Sequence, residues 1–192
     1  AAAKGARAQA QSAKRNPTGY PSGGTAILTK RGLGLSRLPH LTPPGYEHRL
    51  MFCWVGGACR GGLTVGCIWP LDSVGLNADN ATMLDAAATA LAKVRGPWIM
   101  AGDWNLSPEA LTSSNWLAKV GGVICKPSLP TCNGKISAYF VDCIGIAHAV
   151  VATQRISNAG TVPNWPSRLL LRNEARRIRV QKLKKPQRVC SE

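Results

Sequence analysis

The chain reads as an α+β sandwich, and three observations predict it. Apolar runs of strand length, bounded by Gly and Pro clusters, recur from Gly24 to Ile156. A long helical period runs from Asn77 to Val94, where Leu84, Ala87 or Ala88, Leu91 and Val94 fall on one stripe. Directly after it, Trp98-Ile99-Met100-Ala101 ends abruptly in Gly102-Asp103-Trp104-Asn105, and Ser107-Pro108-Glu109 opens another helix. Strands with few helices between them point to a mixed α+β sandwich.

In chain order, Gly24 to Thr29 is the first expected strand. After a Pro/Gly-rich loop, Arg49 to Val55 and Leu63 to Trp69 are two more, joined by the Gly56 to Gly62 turn. Asn77 or Asn80 can cap the long helix, and Gly96-Pro97 ends it. Trp98 to Ala101 follows as a buried strand that delivers Asp103 at its end. Ser107 is a good N-cap, with Pro108 at the first helical position and Glu109 in the first turn. Val123 to Cys125, Ile136 to Ile144 and Ala149 to Ile156 return to strand character, with Asn133-Gly134 as a tight turn.

At 192 residues, a single core is the default, burying roughly 70% of the unfolded surface. The charge balance is extreme: 24 Lys and Arg against 9 Asp and Glu, a net +15. Such an excess attracts polyanions, so nucleic acid is the expected partner, ahead of a membrane surface. No apolar run is long enough to span a bilayer. The seven cysteines contain no Cys-x-x-Cys pair, and His40, His48 and His148 stand at no zinc-ligand spacing. They read as reduced thiols, which favours an intracellular setting. Ala1 to Pro17 carries Lys4, Arg7, Lys14 and Arg15 without an acid, so residues 1–22 read as a disordered basic arm. The folded domain is expected over 23–171 and a basic tail over 172–192. The chain does not start with Met, which fits a processed or partial chain.

Asp103 and Asn105 are the candidate chemistry. Two residues apart, they would face the same side of an extended backbone. A carboxylate beside a carboxamide suits a hard cation and a phosphate. The plainer alternative is a strand-to-helix turn in which both satisfy local backbone groups.

The ordered set Gly23-Gly24-Thr25-Ala26-Ile27-Leu28, Arg49 with its strand, Leu63 to Pro70, Gly-Asp-Trp-Asn and Tyr139-Phe140-Val141 resembles the endonuclease/exonuclease/phosphatase superfamily, especially endonuclease domains of non-LTR retrotransposons. The resemblance runs from about Gly23 to Leu171. It implies a four-layered α/β/β/α sandwich with its N-terminal part missing, and Mg²⁺-assisted phosphodiester cleavage. In that chemistry the metal stabilises charge on the phosphate while a polarised water attacks. Carried over by position, Asp103 would orient or deprotonate the water and contact the metal, and Asn105 would hold the phosphate or that water.

The departures are as informative. The family begins with a strand carrying an Asn and a second carrying a metal-binding Glu, whereas Ala1 to Pro21 offers Asn16 and no acid. Where the family has a Tyr before the long helix, this chain has Ile68, with Trp69 on the opposite face. Where it has Ile-Asp-Tyr-Phe, this chain has Ser137-Ala138-Tyr139-Phe140, and Asp142 lies roughly 13 Å further along the strand. Where it closes with Asp-His-x-Pro, this chain has Pro163-Asn164-Trp165-Pro166. The metal Glu, the His and its supporting Asp are thus replaced. His148 reads as a packing or surface residue.

The tail gathers Arg172, Arg176, Arg177, Arg179, Lys182, Lys184, Lys185 and Arg188 against Glu174, with apolar residues interleaved. It is either a solvated basic face or a polyphosphate-binding extension. The Lys182 to Arg188 cluster also fits an unspecific nuclear localisation pattern. Trp54, Trp69 and Trp98 lie in expected strands and read as core or sheet residues rather than as base-stacking platforms. Together these features predict an impaired relative of Mg²⁺-dependent phosphodiester hydrolases. The alternatives are a non-enzymatic basic nucleic-acid-binding module and a retroelement relic.

Overall fold

The computed structural model describes residues 6–15, 19, 21–143, 150–157 and 165–171. In order these form β1 (Ala6–Gln11), β2 (Lys14–Arg15), β3 (Pro21–Ser22), β4 (Thr25–Lys30), β5 (Leu35–Arg37), β6 (Leu50–Val55) and β7 (Leu63–Ile68). Then come helix α1 (Ala78–Leu91), β8 (Trp98–Asp103), helices α2 (Pro108–Ser113) and α3 (Trp116–Val120), β9 (Gly122–Cys125), β10 (Ala138–Cys143), β11 (Val150–Arg155) and β12 (Ser167–Leu171).

The centre is a six-stranded mixed sheet in the order β5-β6-β7-β8-β10-β9. Within it β7 and β8 are parallel and every other neighbour pair is antiparallel. A parallel pair needs a long crossover, and α1 supplies it. Asn77 caps that helix as expected, its side chain accepting from Asn80 N at 2.9 Å. Asn80, fully buried, then ties down the preceding loop. Its Oδ1 accepts from Leu71 N at 2.8 Å, and its Nδ2 donates to the carbonyls of Leu71 (3.1 Å) and Gly75 (2.7 Å).

The helices cover one face of the sheet. Met83, Leu84, Ala87 and Leu91 of α1, Leu111 of α2 and Trp116 of α3 bury against Leu50, Phe52, Ile68, Met100, Tyr139 and Val141. On the other face a smaller core of Ile27, Leu35, Met51, Cys53 and Val55 is covered by β4. The result is an α+β fold with a helix layer, a central sheet and a second β layer. The six cysteines among the described residues are free, and no described helix is long and apolar enough to cross a membrane.

Two expectations need correction here. Residues 1–22 are not simply a disordered arm. Ala6–Gln11 pairs antiparallel with β4 over its whole length, Ala6 opposite Lys30 and Gln11 opposite Thr25. Lys14–Arg15 pairs with Pro21–Ser22. The partner strand, rather than the weak β-propensity of an Ala/Gln run, makes β1 a strand. Nor does the backbone stay extended through Asn105. Its φ is +50°, so the alternation that would have put it on the same side as Asp103 stops one residue earlier.

Candidate functional site

Five strand ends converge at one edge of the structure. Leu50 at the start of β6 pairs with Ile68 at the end of β7, Ile68 with Gly102 near the end of β8, and Asp103 with Ala138 at the start of β10. The beginning of β4 joins them through Gly24 N, which donates to His48 O at 2.6 Å. Gly102 is required for this closure: a side chain there would run into the main-chain carbonyl of Ile68. The glycine of Gly-Asp-x-Asn therefore lets β7 and β8 end side by side.

Asp103 is the last residue of β8 and half-buried. Its Oδ1 is buried with no hydrogen-bond partner among the described residues, an arrangement that calls for a water, an ion or a ligand donor. Trp104 turns inward. It is fully buried, stacks on Tyr139 with ring centroids 5.2 Å apart, meets Trp116 edge-on at 5.9 Å, and donates from Nε1 to Tyr139 O at 3.0 Å. Its main-chain N also donates to Ser137 O at 2.7 Å. Asn105, in its left-handed turn, donates from Nδ2 to Pro70 O at 2.9 Å. The carboxamide thus clamps the loop after β7 and presents its carbonyl oxygen as the remaining acceptor.

The β10 side is equally fixed. Thr131 Oγ1 accepts from the main-chain N–H groups of Ser137 (2.9 Å) and Ala138 (3.0 Å). Ser167 at the start of β12 donates to Ala138 O at 2.7 Å. Asp142 does not reach this edge. It pairs with Ile99 and Val123 further along the sheet, is fully buried, and accepts the Cys125 thiol at 3.3 Å. Burial raises its pKa and pushes Cys125 up to about 12.

Two arginines that the sequence did not single out as site residues belong to elements that reach this edge: Arg49 immediately precedes β6, and Arg155 ends β11 opposite Ser167. Arg49, buried just before β6, lies over the Trp69 ring at 5.7 Å and donates to Trp69 O (3.1 Å) and Ser22 Oγ (2.6 Å). Arg155 on β11 lies over Trp165 at 5.2 Å and donates to Pro130 O at 3.0 Å. The common signal is an arginine held on an indole face. The partners are 20 and 10 residues apart, so spacing alone did not reveal them. Neither guanidinium has a carboxylate partner among the described residues; the ion pairs there, Lys119–Asp85 and Lys126–Glu109, are exposed. His48, beside Arg49, has its pKa lowered by burial first and then by the charges of Arg49 and Lys14, which keeps its imidazole neutral at pH 7.

The donor set does not suit Mg²⁺. That ion takes carboxylates in tight octahedral geometry, and the residue opposite Asp103 is an alanine. Among the described residues, no three His, Cys, Asp or Glu side chains gather in a way that could hold a metal. His148, Asn164 and the basic residues Arg172 to Arg188 lie outside the described residues.

No protein-family model matches the sequence, and no curated protein matches it. Solved structures do match the fold. The endonuclease domain of TRAS1, a telomere-specific non-LTR retrotransposon, is 10% identical, with 86% of this chain and 80% of that one covered at a TM-score of 0.65. The AP endonuclease LMAP from Leishmania major is 14% identical over 88% of this chain and 71% of its own, at 0.64. The Neisseria 3′ phosphatase NExo, solved with a product DNA hairpin, is 10% identical over 88% and 80%, at 0.58. The likeness is one of fold, and the fold is that of the endonuclease/exonuclease/phosphatase superfamily.

Proposed function

We propose that this chain is a domain of the endonuclease/exonuclease/phosphatase fold that holds nucleic acid by its phosphates at the Asp103 edge, and that its phosphodiester cleavage is impaired. One observation carries the reading: Asp103 stands opposite Ala138 at the shared end of β8 and β10, with its Oδ1 buried and without a partner among the described residues. Arg49 and Arg155 supply positive charge on planar, preoriented groups, which suits phosphate. Asp103 can accept a hydrogen bond from a water, and Asn105 offers a carbonyl acceptor beside it. Proton transfer by a positioned residue contributes about 10²–10⁴-fold to such reactions. The aligned positions hold Ala138 and Asn164, neither of which titrates. Mg²⁺, the cofactor expected of the family, binds weakly or not at all here. The tail from Arg172 to Arg188 adds further phosphate contacts without sequence preference.

The test combines cleavage with a salt titration. Plasmid nicking in Mg²⁺ should match background, whereas nicking that is lost in Asp103→Ala would overturn the impairment. Binding to two unrelated duplexes should be equal within a factor of ten. With six phosphates engaged, the log–log salt slope should be about −5. Deleting residues 172–192 should flatten that slope. A duplex preference above tenfold, or no measurable binding at low salt, would sink the nucleic-acid reading.

A further inference from the structure

A cleft of about 240 Å³ lies at the other end of the sheet from Asp103, between the end of α1 and the β6–β7 turn. Trp54 is its floor. On β6 it pairs with Thr64 of β7, and Thr64 pairs with Trp98 at the start of β8. Asp103 is five residues further along β8, roughly 17 Å away at strand rise. The two places can therefore be probed separately.

Trp54 is 39% exposed, unlike its strand neighbours Phe52, Cys53 and Val55, which are buried. Its ring lies against Gly56 and Gly62, and a Cβ on either glycine would overlap the indole. The turn is thus free of side chains where the indole lies against it. Leu38, Leu41, Val94 and Pro97 add an apolar wall, while Lys93 and Arg95 bring two cationic side chains beside His40, and among the described residues no acidic one lines the cleft. Neither Lys93 nor Arg95 has an ion-pair partner among the described residues.

We infer that this cleft binds a single unpaired nucleotide, its base stacked on Trp54 and its phosphate held at the mouth by Lys93 and Arg95. Base–aromatic stacking is indifferent to which base is present, and the Lys93 and Arg95 charges select for the anionic group. The volume falls just below the roughly 300 Å³ lower bound of ordinary small-molecule pockets, which suits one nucleotide. The nucleotide's source is either free or the unpaired end of a strand, and the two share this chemistry.

The experiment uses the full chain and follows tryptophan fluorescence during titration with AMP, adenosine, inorganic phosphate and a duplex bearing a single-nucleotide 5′ overhang. AMP should quench Trp54 and bind at least fivefold more tightly than adenosine or phosphate alone. The Trp54→Phe variant identifies the quenched residue. Lys93→Glu with Arg95→Glu should weaken AMP at least tenfold, whereas Thr82→Ala, exposed on α1 and part of neither place, should bind AMP and blunt duplex as wild type does; loss of blunt-duplex binding with AMP quenching kept would mark failure at the Asp103 edge alone. Both lysine and arginine are exposed, so the double variant keeps its core if Trp54 variants do not fold. Saturable AMP binding identifies a free nucleotide; tighter binding of the overhang than of the blunt duplex, lost in the double variant, identifies a strand end. Quenching by neither ligand, or equal affinity in the double variant, would overturn the proposal.

Discussion

Asp103 and Ala138 face each other across the antiparallel ladder of β8 and β10. The Ala138 backbone is anchored at both its N–H and its carbonyl. A methyl group therefore stands where a second carboxylate could be placed without rebuilding the frame.

Ala138→Asp should put two carboxylates side by side. Like charges directly opposite on a sheet cost up to about 1 kcal/mol, so the variant should melt below wild type in chelator. Millimolar Mn²⁺ should narrow that gap and leave wild type unmoved. A gap that metal does not change would mean the two side chains do not converge.

Asn80→Ala should be the more damaging change. It leaves the Leu71 N–H and the Leu71 and Gly75 carbonyls without their partner. Buried groups stripped of a hydrogen bond cost about 1–3 kcal/mol each, so a loss of about 3 kcal/mol is expected in urea unfolding. Thr82→Ala, on the exposed side of the same helix, serves as the control and should shift stability by less than about 0.5 kcal/mol.

Asp142 sets a pH dependence. Burial raises its pKa in the folded state, with the Cys125 hydrogen bond opposing. The folded protein thus holds the proton more tightly than the unfolded chain. That contribution is fully present below the ordinary Asp value of about 3.9 and is lost as pH rises through the raised pKa. Asp142→Asn should therefore gain stability relative to wild type as pH climbs from about 4, then level off. A difference that stays flat with pH would show that the carboxyl is not shifted.

Features encoded by neighbouring residues were legible in the sequence. The Asn77 cap, Ser107 with Pro108, and Asn133-Gly134, both at positive φ, stand where expected. Strands that exist because of a distant partner were not. Ala6–Gln11 has the composition of a soluble arm until β4 lies beside it. Leu35–Arg37 has three residues, too few to show a period. At the site, the apolar run ending in Gly102 located Asp103, but the left-handed turn at Asn105 broke the alternation that was extended through it. The arginine–tryptophan pairs depend on tertiary contact, which no local pattern announces.

Trp104 separates what the Gly-Asp-Trp-Asn signature records from what it is taken to mean. Its indole is sealed between Tyr139 and Trp116, so replacing it would open a large void in the core whether or not any reaction occurs next door. Gly102 and Asn105 are held by comparable demands, a tight strand approach and a loop clamp. Three of the four letters are thus required by folding alone. A lineage that abandoned hydrolysis would keep them, and a search that scores this tetrapeptide as proof of activity would count inactive descendants among the enzymes.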